Sequence, residues 1–180
     1  MTSRPETKIP DEITLPYPII GAGTIESGFG RGSAELGIPT ANIPVTSELN
    51  KLETGIYYGW CRLVPRNQEC ADKQRSDGKK VYFNNGTKLA DDELETFPMA
   101  MSIGWNPFYN NETKTAEVHI IHKFRENFYG ADLRYAVMGH IRPELNYTTK
   151  EALIADINKD IEITKEALSK PSYEKYRTKI

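Results

Sequence analysis

Three closely spaced glycines are the first residues in this sequence whose pattern could support chemistry. They lie at alternate positions in the run Gly28-Phe29-Gly30-Arg31-Gly32-Ser33. Glycine lets backbone amides turn toward an anion without interference from a Cβ atom, and the arginine adds a forked cation suited to phosphate oxygens. The run matches neither the Walker loop nor the dinucleotide-binding pattern. Taken alone, it predicts either an ordinary turn or a loop that contacts phosphates.

Two oxygen-bearing side chains follow in the segment PTAN at residues 39–42. Thr40 and Asn42 are two positions apart in a segment that Pro39 and Pro44 hold extended, so their side chains point the same way. Magnesium prefers hard oxygen ligands and keeps several waters, so one or two protein oxygens plus phosphates can hold it. The pair predicts either a magnesium site or a rigid turn with capping side chains, and geometry alone does not decide between them.

A strand-like run at residues 115–124, TAEVHIIHKF, carries a carboxylate and two histidines. Alternation places Glu117 and His119 on one face and His122 on the other, and each face mixes polar with apolar residues. Glu117 is therefore either a solvated surface residue or a base that orients an attacking hydroxyl. The two histidines fall on opposite faces, which is poor geometry for one shared zinc ion.

Short strands are expected to position these residues. Runs rich in aromatic and β-branched residues occur at 19–25, 55–63, 81–83, 99–105 and 115–124. The polar run at 65–80 shows no periodicity and is expected to be a surface excursion between strands. Because strands do not alternate with helices, the order predicts an antiparallel barrel or sandwich and not a parallel sheet.

One helix is predicted near the C-terminal end. Thr148 followed by Glu151 matches a capping box. An apolar stripe at helical spacing comes next, formed by Leu153, Ile154, Ile157, Ile161 and Leu168. Lys170-Pro171 ends the helix. The predicted organisation is an extended tail over residues 1–16, one domain over 17–170 that includes the helix, and a polar tail over 171–180.

The composition is that of a small folded domain. The chain has 180 residues, of which 38% are hydrophobic, and its formal charge of −2 excludes the basic excess typical of nonspecific nucleic-acid binding. Cys61 and Cys70 are expected to be free thiols, because no signal segment indicates an oxidising compartment. No apolar run approaches the roughly 18 residues that a membrane span needs. We expect a cytoplasmic monomer, with an additional mitochondrial pool left open.

Seven motifs, taken together, resemble those of the monofunctional eukaryotic riboflavin kinases. They are GFGRGS (28–33), LGIPTAN (36–42), GIYYGW (55–60), SIGWNPFY (102–109), EVHIIH (117–122), FYG (128–130) and IRPE (141–144). The similarity covers residues 17–170, in order and with matching spacing. The combination of PTAN with a downstream E-x-H-x-x-H is its most specific part.

The resemblance implies a mainly β fold, a six-stranded antiparallel Greek-key barrel with a C-terminal helix packed on it. It implies transfer of the γ-phosphate of ATP to the 5′-hydroxyl of riboflavin, which produces FMN. In such enzymes the glycine loop covers the nucleotide phosphates, here Gly28 to Ser33. The PTAN oxygens, here Thr40 and Asn42, bind magnesium, with zinc or manganese left open, and the E-x-H glutamate, here Glu117, is the catalytic base.

The resemblance also indicates where the two substrates contact the chain. It implies that His122 lies near the nucleotide and that Tyr135, Met138 and His140 contact the flavin. Two positions depart from the usual family pattern: Ala34 replaces a lysine, and His140 stands where an aromatic such as tyrosine is common. The implied partners are riboflavin and ATP, without nucleic acid or membrane. The competing hypothesis is a small barrel that binds FMN or an oligonucleotide without chemistry.

Overall fold

The chain forms eight β-strands and three α-helices in the residues that the computed structural model describes, which are 4–27, 39–75, 77–106 and 112–180. The strands are β1 (Ile19–Thr24), β2 (Ala41–Ile43), β3 (Gly55–Val64), β4 (Ala71–Gln74), β5 (Lys80–Phe83), β6 (Thr96–Trp105), β7 (Lys114–Ile120) and β8 (Asp132–Arg142). The helices are α1 (Ser47–Asn50), α2 (Lys150–Leu168) and α3 (Pro171–Glu174), and short 3-10 helices occur at Asp91–Glu93 and Lys175–Thr178.

Six of the strands form one curled antiparallel sheet in the order β1-β8-β3-β6-β7-β2. Its two edges meet where the chain leaves β1, because Glu26 bridges Asn42 of β2 and its amide donates to the Asn42 carbonyl oxygen at 2.8 Å. The remaining strands, β4 and β5, pair only with each other. The expected antiparallel barrel with a C-terminal helix is thus confirmed, with closure of the described strands at a single bridge.

Two apolar clusters stabilise the two faces of the curled sheet. The interior cluster contains Tyr57, Met101, Val118 and Tyr135, all almost completely buried. The outer cluster lies under the helices and includes Trp60, Met138, Leu168 and Tyr173. The Trp60 indole N–H donates to the Tyr173 carbonyl oxygen at 3.0 Å, so a polar atom inside this layer is satisfied.

A buried ion pair joins β8 to α2. The Arg142 guanidinium binds the Asp160 carboxylate through Nε at 3.0 Å and Nη2 at 2.8 Å, and each side chain is 4% exposed. Arg4 of the N-terminal segment reaches the same carboxylate at 2.8 Å. The segment before β1 therefore packs along the helical layer, where Pro10 also accepts a hydrogen bond from the Tyr173 hydroxyl.

The C-terminal part of the chain differs in detail from its sequence-based prediction. The α2 N-cap is Thr149, one residue after the predicted Thr148, and its side chain accepts from the Ala152 amide. The predicted apolar stripe is only partly buried, and the most buried residues of α2 are Asp160, Thr164, Ala167 and Leu168. Residues 171–180, expected as a polar tail, form α3 and a 3-10 helix, with Tyr173 buried.

Three strands were not predicted, and another ends earlier than predicted. One of the three, β2, lies in the segment that was predicted only to be extended. The excursion at 65–80 contains β4, whose residues are all exposed and which pairs with β5 in a hairpin. The longest strand, β8, was not recognised as a strand. The predicted strand over 115–124 ends at Ile120, so His122 lies beyond β7 and not on its second face. The inward face of β7 is apolar along its whole length, and Ala116 and Val118 are buried there.

The remaining sequence expectations concern the cysteines and the membrane. Cys61 is buried and Cys70 half-buried, and both are free thiols, as predicted. In the described parts of the chain, no helix combines the length and the apolar character needed to cross a membrane.

Candidate functional site

Asn42 and Glu117 face each other across two neighbouring strands. The antiparallel register of β2 and β7 pairs Asn42 with Glu117, and the register of β6 and β7 pairs Glu117 with Ser102. Directly opposite residues share one face of a sheet, with Cβ atoms about 4.5–5.5 Å apart. All three residues are half-buried, whereas their chain neighbours point into the barrel and are buried. The outer face therefore carries an amide, a carboxylate and a hydroxyl in one row.

A second pair continues this row along the strands. Because Ala41 pairs with Val118, the next position places Thr40 opposite His119. The Nδ1 atom of His119 lies 3.1 Å from the carbonyl oxygen of Pro39, which ties the two segments together beyond the end of the ladder. The PTAN and E-x-H motifs thus lie side by side, although 75 positions of sequence separate Asn42 from Glu117.

A cavity of about 940 Å³ opens beside this pair. Its lining includes Thr40, His119, His122, Phe124, Phe128 and Lys165. The volume lies within the range of about 300–1,000 Å³ that is usual for small-molecule and cofactor sites. Lys165 comes from α2, so the helical layer contributes a cation to a cavity formed mainly by the barrel.

His122 forms part of an aromatic group at the mouth of this cavity. Its ring stacks on Phe97 at 4.1 Å between centroids and meets Phe124 edge-on at 4.8 Å. The ring is exposed on its other side, since His122 as a whole is an exposed residue. Stacked aromatic faces of this kind suit a flat heterocycle as well as they suit each other.

A smaller cavity of about 250 Å³ lies further along the same segment. Glu26, Asn42, Asn106 and Lys114 are among its lining residues. Partial burial raises the pKa of the Glu26 carboxyl. Adjacent residues of the Thr40–Asn42 segment therefore line two different cavities, and the segment forms the border between them.

The predicted phosphate-contacting residues Gly28, Phe29, Gly30, Arg31, Gly32 and Ser33 lie outside the described residues, as does Ala34. The residues that flank them are described. Glu26 and Asn42 are bridged, so the described parts of the chain on either side of these residues meet at one place. That place is the segment predicted to bind magnesium.

The donor set at this place fits magnesium better than zinc. Thr40 and Asn42 offer neutral oxygens next to the Glu117 carboxylate, and hard oxygen donors are those that magnesium prefers. Zinc prefers histidine and cysteine. Across the described ranges, no three His, Cys, Asp or Glu side chains are grouped so that they could hold a metal ion. Magnesium needs few protein ligands when phosphates and waters supply the others, so two oxygens are sufficient.

The three predicted flavin contacts do not form one surface. Tyr135 is fully buried in the barrel interior, and Met138 is buried in the outer cluster under the helices. His140 is exposed and packs edge-on against Tyr57, with ring centroids 5.1 Å apart. Partial burial lowers the pKa of His140, against the opposing effect of the Glu53 charge. Tyr135 and Met138 are on opposite faces by ordinary strand alternation. The register shift between β3 and β8 opposite Met138 instead accounts for His140 lying beside Tyr57 and not on the face of Met138.

Three residues of the site were missed by sequence reasoning. Ser102 lies opposite Glu117, Glu26 lies opposite Asn42, and Lys165 lines the large cavity. Ser102 stands inside one of the recognised motifs, which was the available signal. Glu26 and Lys165 carry no local pattern, because only strand register and helix docking bring them to the site.

Comparison with known proteins gives one consistent family. The family model described as Flavokinase, riboflavin kinase, matches residues 15–168. The riboflavin kinase of Meyerozyma guilliermondii is 98% identical over 180 residues, which is all of both chains. That of Scheffersomyces stipitis is 57% identical over 97% of this chain and 98% of its own. A crystal structure of riboflavin kinase from Trypanosoma brucei has the same fold, with a TM-score of 0.62, 24% identity and coverage of 91% of this chain and 88% of that one.

Proposed function

This chain belongs to the riboflavin kinase family, and on that premise we propose which of its residues carry the reaction. The reaction is phosphorylation of riboflavin to FMN, with ATP as the phosphate donor. The observation that supports our assignment is the cross-strand pairing of Asn42 with Glu117, because it puts a metal-binding oxygen and a carboxylate next to each other on one face.

Glu117 acts as the base in this proposal. It accepts a hydrogen bond from the 5′-hydroxyl of riboflavin and takes its proton as the oxygen attacks the γ-phosphorus of ATP. The new bond joins that oxygen to phosphorus, and the bond from phosphorus to the bridging oxygen breaks, which releases ADP. A carboxylate held on a strand can be aimed accurately, and phosphoryl transfer depends mainly on positioning and charge neutralisation.

Thr40 and Asn42 hold the metal ion, which we propose to be magnesium, with manganese and zinc as ions to be compared. When bound, magnesium neutralises the charge of the transferred phosphoryl group. The side-chain oxygens of Thr40 and Asn42 would hold the ion, and Asn42 is paired with Glu117 across the two strands. This arrangement brings the base and the phosphate site within one strand spacing of each other.

The nucleotide occupies the large cavity in our proposal, with His122 beside it. The stacked Phe97 and His122 rings offer a flat surface, and Lys165 provides a positive charge near Thr40 and His119. Residues 28–33 would cover the phosphates. The Glu26–Asn42 bridge supports this assignment, because it joins the chain on both sides of this stretch at the proposed metal site.

The flavin assignment stays a proposal with different roles for its three members. His140 is exposed and can contact a ligand directly. Tyr135 and Met138 are buried and would influence the site only through the packing of β8. We also propose a monomer located in the cytoplasm, with an additional mitochondrial pool as a question for fractionation. These last points rest on the sequence expectations given above.

The test of the proposed function is direct. Purified protein is incubated with riboflavin, ATP and magnesium, and FMN and ADP are quantified by chromatography in equal amounts. Reactions without ATP, or with excess chelator, serve as controls and should give no FMN. Binding of riboflavin or FMN without any turnover would instead identify a flavin-binding barrel.

A further inference from the structure

His119 is the one member of the E-x-H-x-x-H motif that the proposed reaction leaves without a role. Among the described residues, the other two histidines already have aromatic partners, since His122 stacks on Phe97 and His140 packs on Tyr57. His119 instead contacts backbone, with Nδ1 3.1 Å from the Pro39 carbonyl oxygen. A carbonyl oxygen can only accept, so Nδ1 must carry the proton in this contact.

The hydrogen bond between His119 and Pro39 lies immediately before Thr40 and therefore affects the position of Thr40. The β2–β7 ladder ends at the pair of Ala41 and Val118, so Pro39 and Thr40 extend past it. Proline has no amide hydrogen, and its carbonyl is therefore the only backbone group through which Pro39 can bond to β7. The imidazole of His119 supplies that bond and fixes the backbone immediately before Thr40.

We propose that His119 is a positioning residue, which holds the Thr40 hydroxyl at the metal and phosphate site through its hydrogen bond to Pro39. The inference rests on the proposed role of Thr40 in the kinase reaction. Glu117 and His119 lie on the same face of β7, where Glu117 pairs with Asn42 and His119 contacts the Pro39 carbonyl oxygen just before Thr40. The E-x-H spacing is thereby explained, because the glutamate serves the reaction and the histidine secures the partner segment.

This role differs from metal ligation by His119. The nitrogen seen in contact is occupied by a carbonyl oxygen. Within the described parts of the chain, no group of three His, Cys, Asp or Glu side chains could hold a metal. The proposal assigns the effect of His119 on the metal to the backbone of Pro39 and Thr40, because its Nδ1 atom contacts that backbone.

Two substitutions separate a hydrogen-bonding role from simple packing. In His119→Asn the side-chain amide nitrogen stands near the place of Nδ1, whereas in His119→Gln it stands near the place of Nε2. Loss of one neutral hydrogen bond changes an equilibrium constant by about three- to tenfold. We expect His119→Gln to raise the KM for MgATP and the magnesium concentration for half-maximal rate by about that factor. His119→Asn should retain most of the wild-type affinity, and neither variant should change the KM for riboflavin.

A binding measurement removes any dependence on turnover. Manganese binding, followed by electron paramagnetic resonance in the presence of ADP, should weaken in His119→Gln and recover in His119→Asn. Equal weakening in both variants, or an effect confined to thermal stability, would overturn the proposal. Circular dichroism verifies that both variants are folded. Folding of the variants is expected, because His119 is only half-buried.

The wild-type protein offers a further test that needs no variant. Long-range proton–nitrogen NMR, recorded where the ring is neutral, should show His119 as the Nδ1–H tautomer. An Nε2–H tautomer would contradict the hydrogen bond. This result is independent of FMN production, so failure of the inference and failure of the proposed function can be told apart.

Discussion

Asn42 and Glu117 occupy directly opposite positions in the antiparallel ladder between β2 and β7. The amide that we assign to the metal and the carboxylate that we assign to the proton are therefore neighbours on one rigid sheet. The register of the two strands sets their separation. For this reason the site is best tested by changes that remove single atoms or charges and leave the strands intact.

Glu117→Gln should lower kcat by about 100- to 10,000-fold, the range that general base catalysis supplies. The amide keeps the size of the side chain but cannot accept the proton. The KM values for riboflavin and MgATP should change little, because the proposed role belongs to the transition state. Steady-state kinetics of FMN formation measure this effect.

The matched control for Glu117→Gln is Glu112→Gln, at an exposed glutamate just before β7. It should have wild-type kinetics. Unchanged FMN formation in Glu117→Gln itself would remove Glu117 as the base.

Thr40→Val and Asn42→Leu each remove one oxygen while approximately conserving side-chain volume. We expect the magnesium concentration for half-maximal rate to rise at least tenfold, about the lower limit seen even when second-shell partners of metal ligands are lost. Titration of FMN formation with magnesium, repeated with manganese, measures the shift. Asn158→Leu, at an exposed residue of α2, is the control. An unchanged metal requirement in both site variants would show that the ion is held elsewhere.

Asp160→Asn should reduce the free energy of unfolding by about 3–5 kcal/mol, because it leaves the buried Arg142 guanidinium without its counter-ion. Urea denaturation monitored by tryptophan fluorescence gives this quantity. The comparison is Glu162→Gln on the same helix, whose carboxylate is 68% exposed and pairs loosely with Lys159. That variant should have little effect, since exposed ion pairs contribute little. Equal losses in the two variants would contradict the structural role of the buried pair.

His140 should make the protein less stable in mild acid. Its folded-state pKa is lowered below the ordinary value of 6.5, so the unfolded chain takes up the proton more readily. Stability is therefore lost as the pH falls through 6.5 and levels off below the folded pKa. His140→Gln should flatten this part of the profile of unfolding free energy between pH 7.5 and pH 5. Parallel profiles for the two proteins, or a steeper one for the variant, would be inconsistent with a lowered pKa.

The sequence predicted the parts of the fold that have local signals. The aromatic, β-branched run that became β3 and the alternation in β7 marked those strands, and Pro171, the first residue of α3, marked the end of α2. By contrast, β8 has no regular alternation, because buried residues occupy Tyr135 to Ile141 except His140 and a register shift changes its face. Both sides of this strand are covered, one by the barrel interior and the other by the helices. The sequence of a strand that is buried on both sides does not alternate between apolar and polar residues.

The site was predictable in its residue types but not in its arrangement. The motifs identified the oxygens of Thr40 and Asn42 as candidate metal ligands and the carboxylate of Glu117 as a candidate base. Their proximity depends on the pairing of β2 with β7, which is a long-range property that no spacing in the sequence contains. The same reason applies to Asp160, which lies outside the predicted apolar stripe and is the buried partner of Arg142.

The bridge between Glu26 and Asn42 has a consequence for how this part of the chain can change over evolutionary time. Because the bridge joins the chain on both sides of this stretch, insertions or deletions between residues 28 and 38 need not move Thr40 or Asn42. Loop-closure entropy increases only slowly with length, so such changes should also be tolerated in stability. Specificity for the phosphate donor could therefore diversify through the length and composition of this stretch, while the residues that perform the transfer stay at the same coordinates.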